Sequence, residues 1–199
     1  SEVINGKCKL QWKVDWAMRW ISFDVDYEMC GKDLTDSYVL SSKICNIIGS
    51  PPPINLIYEL FLDEKGEKIS KSVGNGISIE EWLKYSNQES LSLFMFQRPT
   101  TAKKLHFDII PKNTDEYLSH LSKYSENFDN CDNPAWHIHK SEKLIFNTKI
   151  NFSLILNVIS VCKSDKPEVI LGLLKNYQSE LLDSELKIIN NLILKGINY

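Results

Sequence analysis

An α/β front followed by an all-helical back is the fold class the sequence predicts, and three observations carry it. Ile54 to Leu62 is a mostly apolar, β-prone run, with Pro51-Pro52-Pro53 before it and Asp63-Glu64-Lys65-Gly66 after it. That is the pattern of a buried strand running into a tight turn. Trp12, Trp16 and Trp20 recur at i, i+4 and i+8, which puts them on one face of a helix. From Ser78 onward the chain reads as a succession of helices. The change falls near residue 77, so residues 1–77 and 78–199 are expected to form two regions.

The elements follow in order. The tryptophan helix lies in the first region, and Ser37 to Ile48 reads as a second helix, ended by Gly49 and stopped by the three prolines. After the strand and its turn, Glu67 to Gly76 is short, polar, basic and closed by Gly74 and Gly76, so it reads as a surface loop. Ser78 with Glu81 has the capping-box spacing, and Trp82 and Leu83 follow. Ser90 to Arg98 continues as an apolar helix that breaks at Pro99, and Thr114 to Tyr124 forms another, with Leu118 and Leu121 on one side. Glu126 to Lys140 is polar and expected to be a loop. Three further helices are expected over about Phe152 to Cys162, Pro167 to Tyr177 and Glu180 to Leu194, with Pro167 suited to a helix start.

The bulk chemistry excludes several classes. With 43% hydrophobic and 25% charged residues in 199, the chain is an ordinary soluble globular protein in composition. A net charge of −3 means it is not a polycation built to wrap nucleic acid. Lys140, Lys143, Lys149 and Lys163 in the back half are mixed with acidic residues, the pattern of a solvated surface. The five cysteines are scattered, with no CxxC pair and no zinc-ribbon spacing, which suits a reducing compartment. No apolar run approaches the ~18 residues a bilayer requires, and Ser1 to Gly6 lacks the regions of a signal peptide. Cytoplasmic is the expected location. The first residue is not methionine, as expected of a piece cut from a longer chain.

Lys68-Ile69-Ser70-Lys71-Ser72 is the segment with chemical potential. Two lysines three apart in a glycine-flanked loop can address one anionic group, and the serines add hydroxyl donors. Phosphoryl chemistry needs positioning and positive charge where a leaving group gains negative charge, which such a loop supplies. A bare string of this kind is also a common solvated turn. The preceding strand and the following capped helix suit a site at the edge of an α/β sheet.

With its surroundings, this segment resembles the KMSKS signature of class I aminoacyl-tRNA synthetases, with Ile69 in the methionine position. Within that class the chain is similar to the lysyl enzyme of archaea and some bacteria. The resemblance rests on Trp12-Lys13-Val14-Asp15-Trp16-Ala17-Met18-Arg19-Trp20, Gly31-Lys32-Asp33, Pro52-Pro53 leading to Tyr58-Glu59, Arg98-Pro99, Phe107-Asp108 and Asp115-Glu116-Tyr117. It runs from about residue 7 to residue 124. It implies the second half of a Rossmann-type catalytic domain over residues 1–77, then a helical, connective or tRNA-binding region over 78–199. It further implies activation of lysine with ATP to lysyl-adenylate and transfer to tRNA(Lys), with magnesium arriving on the nucleotide. Lys68 and Lys71 would stabilise the triphosphate as its α–β bond breaks, assisted by Ser70 and Ser72. Asp15 beside Trp12 or Trp16 would suit the substrate's ammonium group, although tryptophans at helical spacing equally form core. Asp33, next to Gly31, would sit at the pocket edge, with Tyr38 and Tyr58 as further wall residues.

Two departures from the family pattern qualify this. Leu34 stands where the Gly-Lys-Asp motif normally continues with His, so a polar contact is lost. No HIGH-type motif precedes the loop. His137-Ile138-His139 lies after it and reads as surface, and His106 and His120 read as structural or exposed. The chain alone is therefore expected not to make lysyl-adenylate. The alternative is a truncated or degenerate synthetase-like module that binds tRNA or a protein partner without catalysis.

Overall fold

A computed structural model of the chain describes residues 4–70, 73–140 and 142–199. It divides into two compact units: Ser1–Phe61 with Pro99–Lys103, and Leu62–Arg98 with Lys104–Tyr199.

The first unit is a β-α-β arrangement with a helix before it. Helix α1 (Trp12–Ser22) leads to strand β1 (Tyr27–Gly31), a 3-10 turn (Lys32–Leu34), helix α2 (Thr35–Ile48) and strand β2 (Ile54–Tyr58). The strands pair in parallel, with Tyr27 opposite Ile54 and Gly31 opposite Tyr58. Parallel neighbours need a crossover, and α2 supplies it. Helices α1 and α2 pack together. Trp16, Ala17, Trp20, Cys30 and Cys45 form the core, with Leu34, Tyr38 and Ile57 against it. The tryptophan stripe is thus mainly core, as one of the two expected readings had it; only Trp12 stays about half exposed. Leu34, the departure from the family motif, packs inward as an apolar residue.

Two strand expectations need correction. Strand β1 falls within a stretch read only for its helices. The apolar run from Ile54 is not continuous either: β2 stops at Tyr58, where its partner β1 ends, and β3 (Phe61–Leu62) is a separate two-residue strand. Between them the Glu59 N–H turns to the Pro99 carbonyl, 2.8 Å away, instead of to a sheet neighbour.

The second unit is helical: α3 (Ile79–Tyr85), α4 (Gln88–Phe96), α5 (Ile109–Glu126), α6 (Pro134–His139), α7 (Phe152–Cys162), α8 (Pro167–Leu174) and α9 (Asp183–Asn198). The two-residue strand β4 (Lys103–Lys104) falls where the sequence division between the units lies. Ser78 caps α3 as expected, its Oγ accepting the Glu81 N–H at 3.0 Å. Helix α5 packs on α4, α6 and α7, while α7 also meets α8 and α9. Their core includes Leu93, Tyr117, Leu121, Phe152, Ile155 and Ile189, all buried. Polar groups inside are paired: Trp82 Nε1–H donates to Ser90 Oγ at 3.1 Å, and Ser86 Oγ lies 2.6 Å from Thr114 Oγ1. The segment Glu126 to Lys140, expected to be loop, contains α6. Asn133 accepts the Ala135 N–H at 3.0 Å and Pro134 occupies the first turn, so the start signal was present in a polar setting.

Candidate functional site

Residues expected to be functional fall in both units. In the second, the basic loop grows from a hairpin. Leu62 and Lys68 are bridged antiparallel, and the Asp63 N–H donates to the Glu67 carbonyl at 2.8 Å. Past Lys68 the chain turns on Ser70, whose carbonyl accepts the Val73 and Gly74 N–H groups at 3.2 and 3.0 Å. Asn75 sits at the centre. Its Oδ1 accepts the Ser70 N–H at 3.0 Å, and its Nδ2 donates to Asp63 Oδ2 at 2.9 Å and to the Lys68 carbonyl at 3.4 Å. The other Asp63 oxygen accepts the Glu67 N–H at 2.8 Å. Donation from Asn75, then from Glu67, holds the Asp63 carboxyl below the usual carboxylate range, against partial desolvation.

Lys68 is exposed and Ser70 half-buried. Lys71 and Ser72 lie outside the described residues. A Cβ on Gly76 would stand 2.5 Å from Ile69 Cγ2, so the bare glycine is what lets Ile69 pack against it. An open cavity of about 380 Å³ beside it is lined by Asp63, Lys65, Glu67, Asn75, Gly76 and His106 among others.

In the first unit, Gly31, Asp33 and Tyr58 converge at the carboxyl ends of β1 and β2, the end at which open α/β sheets bind ligands. A Cβ on Gly31 would lie 2.8 Å from Asp33 Oδ1 and 3.5 Å from Tyr58 Cε2, so this approach also depends on glycine. Asp33 is exposed, and Tyr58 is 40% exposed. Alongside, Lys32 Nζ meets Glu59 Oε1 at 2.8 Å and holds the Glu59 carboxyl below its ordinary value. Tyr38 stands on α2, where its hydroxyl donates to the Pro53 carbonyl at 3.0 Å and its ring leans on Trp20. Trp12 and Asp15 stand on α1. The Trp12 ring stacks on Trp16 with centroids 5.3 Å apart, and Asp15 pairs with Arg19 at 2.9 Å. The cation that Asp15 holds here is therefore the chain's own.

Sequence reasoning missed a second cavity in the helical unit, about 750 Å³, lined by Glu89, Tyr117, His139, Glu142, Lys187 and Lys195 among others. His139, expected at the surface, is half-buried, with Nε2 3.0 Å from the Tyr117 hydroxyl. Burial lowers its pKa, while Glu89 and Glu142 oppose that effect. His137 is exposed, and its ring nitrogen lies 2.8 Å from the Cys131 carbonyl. Among the described residues, no group of three or more His, Cys, Asp or Glu is gathered for a metal ion. Among them, too, no helix is long and apolar enough to cross a membrane.

A family model described as "tRNA synthetases class I (K)" matches residues 1–142, a span that holds the β1-α2-β2 unit and the whole basic loop. The chain belongs to that family. Among curated relatives, lysine–tRNA ligase of Rickettsia bellii (strain OSU 85-389) is 47% identical over 201 residues, covering 99% of this chain and 38% of the relative. That of Rickettsia peacockii (strain Rustic) is 51% identical over 180 residues, covering 88% and 34%. The synthetase-like chain thus spans little more than a third of the length of these relatives. The likeness continues past residue 142, through α7, α8 and α9, beyond the residue 124 or so at which the resemblance read from the sequence stops.

Proposed function

We propose that this chain is the part of a lysine–tRNA ligase that carries the triphosphate-handling loop. The single observation that carries the reading is the loop itself: exposed Lys68 stands on a hairpin whose backbone is tied by Asn75, within the family match. Residues 1–77 serve as the second half of a Rossmann-type catalytic domain, and the parallel β1-α2-β2 unit supports that assignment. Residues 78–199 form the helical region that follows.

In the activation step the lysine carboxylate attacks the α-phosphorus of ATP, the α–β phosphoanhydride bond breaks, and pyrophosphate leaves with its charge. Lys68 and Lys71 neutralise that developing charge, and Ser70 and Ser72 add hydroxyl donors. Magnesium enters on the phosphates. Asp33 and Tyr58 border the lysine and nucleotide pocket, with Tyr38, Trp12 and Asp15 as further contacts. Lysine then passes to the terminal adenosine of tRNA(Lys).

The test is lysine-dependent ATP–pyrophosphate exchange, run with this chain alone and with the preceding portion of the Rickettsia bellii relative supplied. Exchange is expected only in the mixture, and Lys68→Ala is expected to lower it roughly 100-fold or more, as loss of one charge-stabilising donor does. A second reading has one observation in its favour: Leu34 packs, partly buried, against the core and offers no polar group. It makes the chain a tRNA- or partner-binding module without catalysis. No exchange in any mixture, together with tRNA binding that falls steeply with salt, would replace the first reading by the second.

A further inference from the structure

We propose that Asn75 and Asp63 are positioning residues that hold the Lys68-to-Ser70 limb in its phosphate-receiving arrangement, an inference that rests on the loop reading above. A loop flanked by glycines is costly to order, since each residue that is fixed loses backbone freedom. If that ordering is completed before the nucleotide arrives, the cost no longer weakens binding. Asn75 is suited to this because one short side chain presents both an acceptor and two N–H donors. The acceptor takes the Ser70 N–H, and the donors reach the Lys68 carbonyl and Asp63, so both ends of the limb are fixed by one amide.

Asp63 anchors that amide. Its second oxygen fixes Glu67 at the hairpin, so the carboxylate links the stem to the loop. A bond from an amide to a carboxylate is stronger than one between neutral groups. Aspartate at 75 would lack the donors and face Asp63 charge to charge. Alanine would free the Ser70 N–H. Exchanging the two residues would restore the pair: the amide now at 63 donates to the carboxylate now at 75, which still accepts the Ser70 N–H.

The experiment uses the 199-residue chain. It measures hydrogen exchange of the Ser70 amide by NMR and affinity for magnesium pyrophosphate by calorimetry. The variants are Asn75→Ala, Asn75→Asp, the exchanged pair Asp63→Asn with Asn75→Asp, and Lys68→Ala, with circular dichroism confirming the helices in each. Asn75→Ala and Asn75→Asp are expected to cut Ser70 protection and pyrophosphate affinity about tenfold each, as loss of a charge-assisted bond implies. The exchanged pair is expected to recover most of both. Ser70 protection unchanged by Asn75→Ala overturns the proposal. So does pyrophosphate affinity that Lys68→Ala weakens and Asn75→Ala leaves alone, and in that case the phosphate reading of the loop survives. Affinity untouched by Lys68→Ala removes the loop reading and this proposal with it.

Discussion

Glu185 is the position at which one substitution is expected to weaken the helical unit most for the atoms removed. Its side chain is buried in the first turn of α9 with only 2% exposed. Oε1 accepts the Asn147 N–H at 2.7 Å and Oε2 accepts the Leu182 N–H at 2.9 Å. The carboxylate therefore caps α9 and ties the segment before α7 to it. Each bond to a charged acceptor contributes about 1.5–3 kcal/mol. Leu182 and Asn147 are exposed enough for water to retake part of what Glu185→Ala removes. Roughly 3 kcal/mol of lost stability is left, within the usual range for breaking a buried polar link. For a chain of this size that corresponds to a melting temperature lower by about 6–12 °C. Glu185→Gln keeps one acceptor oxygen and is expected to lose about half as much. Urea denaturation followed by circular dichroism, with the slope checked for constancy, measures both. A loss below 1 kcal/mol for Glu185→Ala at unchanged slope would refute the reasoning, because the two bonds would then be worth no more in the protein than in water.

Phe152 is fully buried at the start of α7, so Phe152→Ala is expected to cost about 3–5 kcal/mol by the same urea measurement. His120 and His139 are both held below the ordinary imidazole value by burial, against nearby carboxylates. The unfolded chain therefore binds protons first, and stability present above about pH 6.5 is lost as the pH falls through the lower folded values. Denaturation midpoints at pH 7 and pH 5 check this, and His139→Gln is expected to flatten the dependence. Gly31→Ala puts a methyl 2.8 Å from Asp33 Oδ1. Asp33 is exposed and can swing aside, so the melting temperature is expected to move by less than about 3 °C. Under the proposed function, Asp33 is then displaced, and KM for lysine in the supplemented exchange assay rises about tenfold, which is the readout for that variant.

What was legible in the sequence were features with strong local signals. The Ser78 cap, the prolines that stop α2 and start α8, and the 152–162 helix stand where periodicity and capping chemistry put them. Strand β1 was hidden because Tyr27-Glu28-Met29-Cys30-Gly31 is only five residues long and carries a charge; its pairing with β2 is a long-range event that no local pattern encodes. Helix α6 was hidden because its six residues sit between polar stretches, too short for a periodic signal. The basic loop was visible as a string, but its latch was not. Asparagine near glycine is ordinary turn chemistry, and nothing in sequence links position 75 to position 63. His139 was misplaced because His-x-His looks polar, while its helix turns one of the two rings inward.

Strand β2 has a consequence for handling the chain at high concentration. Ile54-Asn55-Leu56-Ile57-Tyr58 is uncharged and β-prone, pairs among the described residues with β1 alone, and leaves Ile54 74% exposed. Such a segment is a template for edge-to-edge aggregation. The triplet Pro51-Pro52-Pro53 abuts it on one side and Glu59, ion-paired to Lys32, closes it on the other. Prolines cannot donate to a growing ladder and a charge resists stacking, so both flanks act as gatekeepers against fibril growth. The residues that end the strand in the fold are thus the same ones that keep it from recruiting copies of itself.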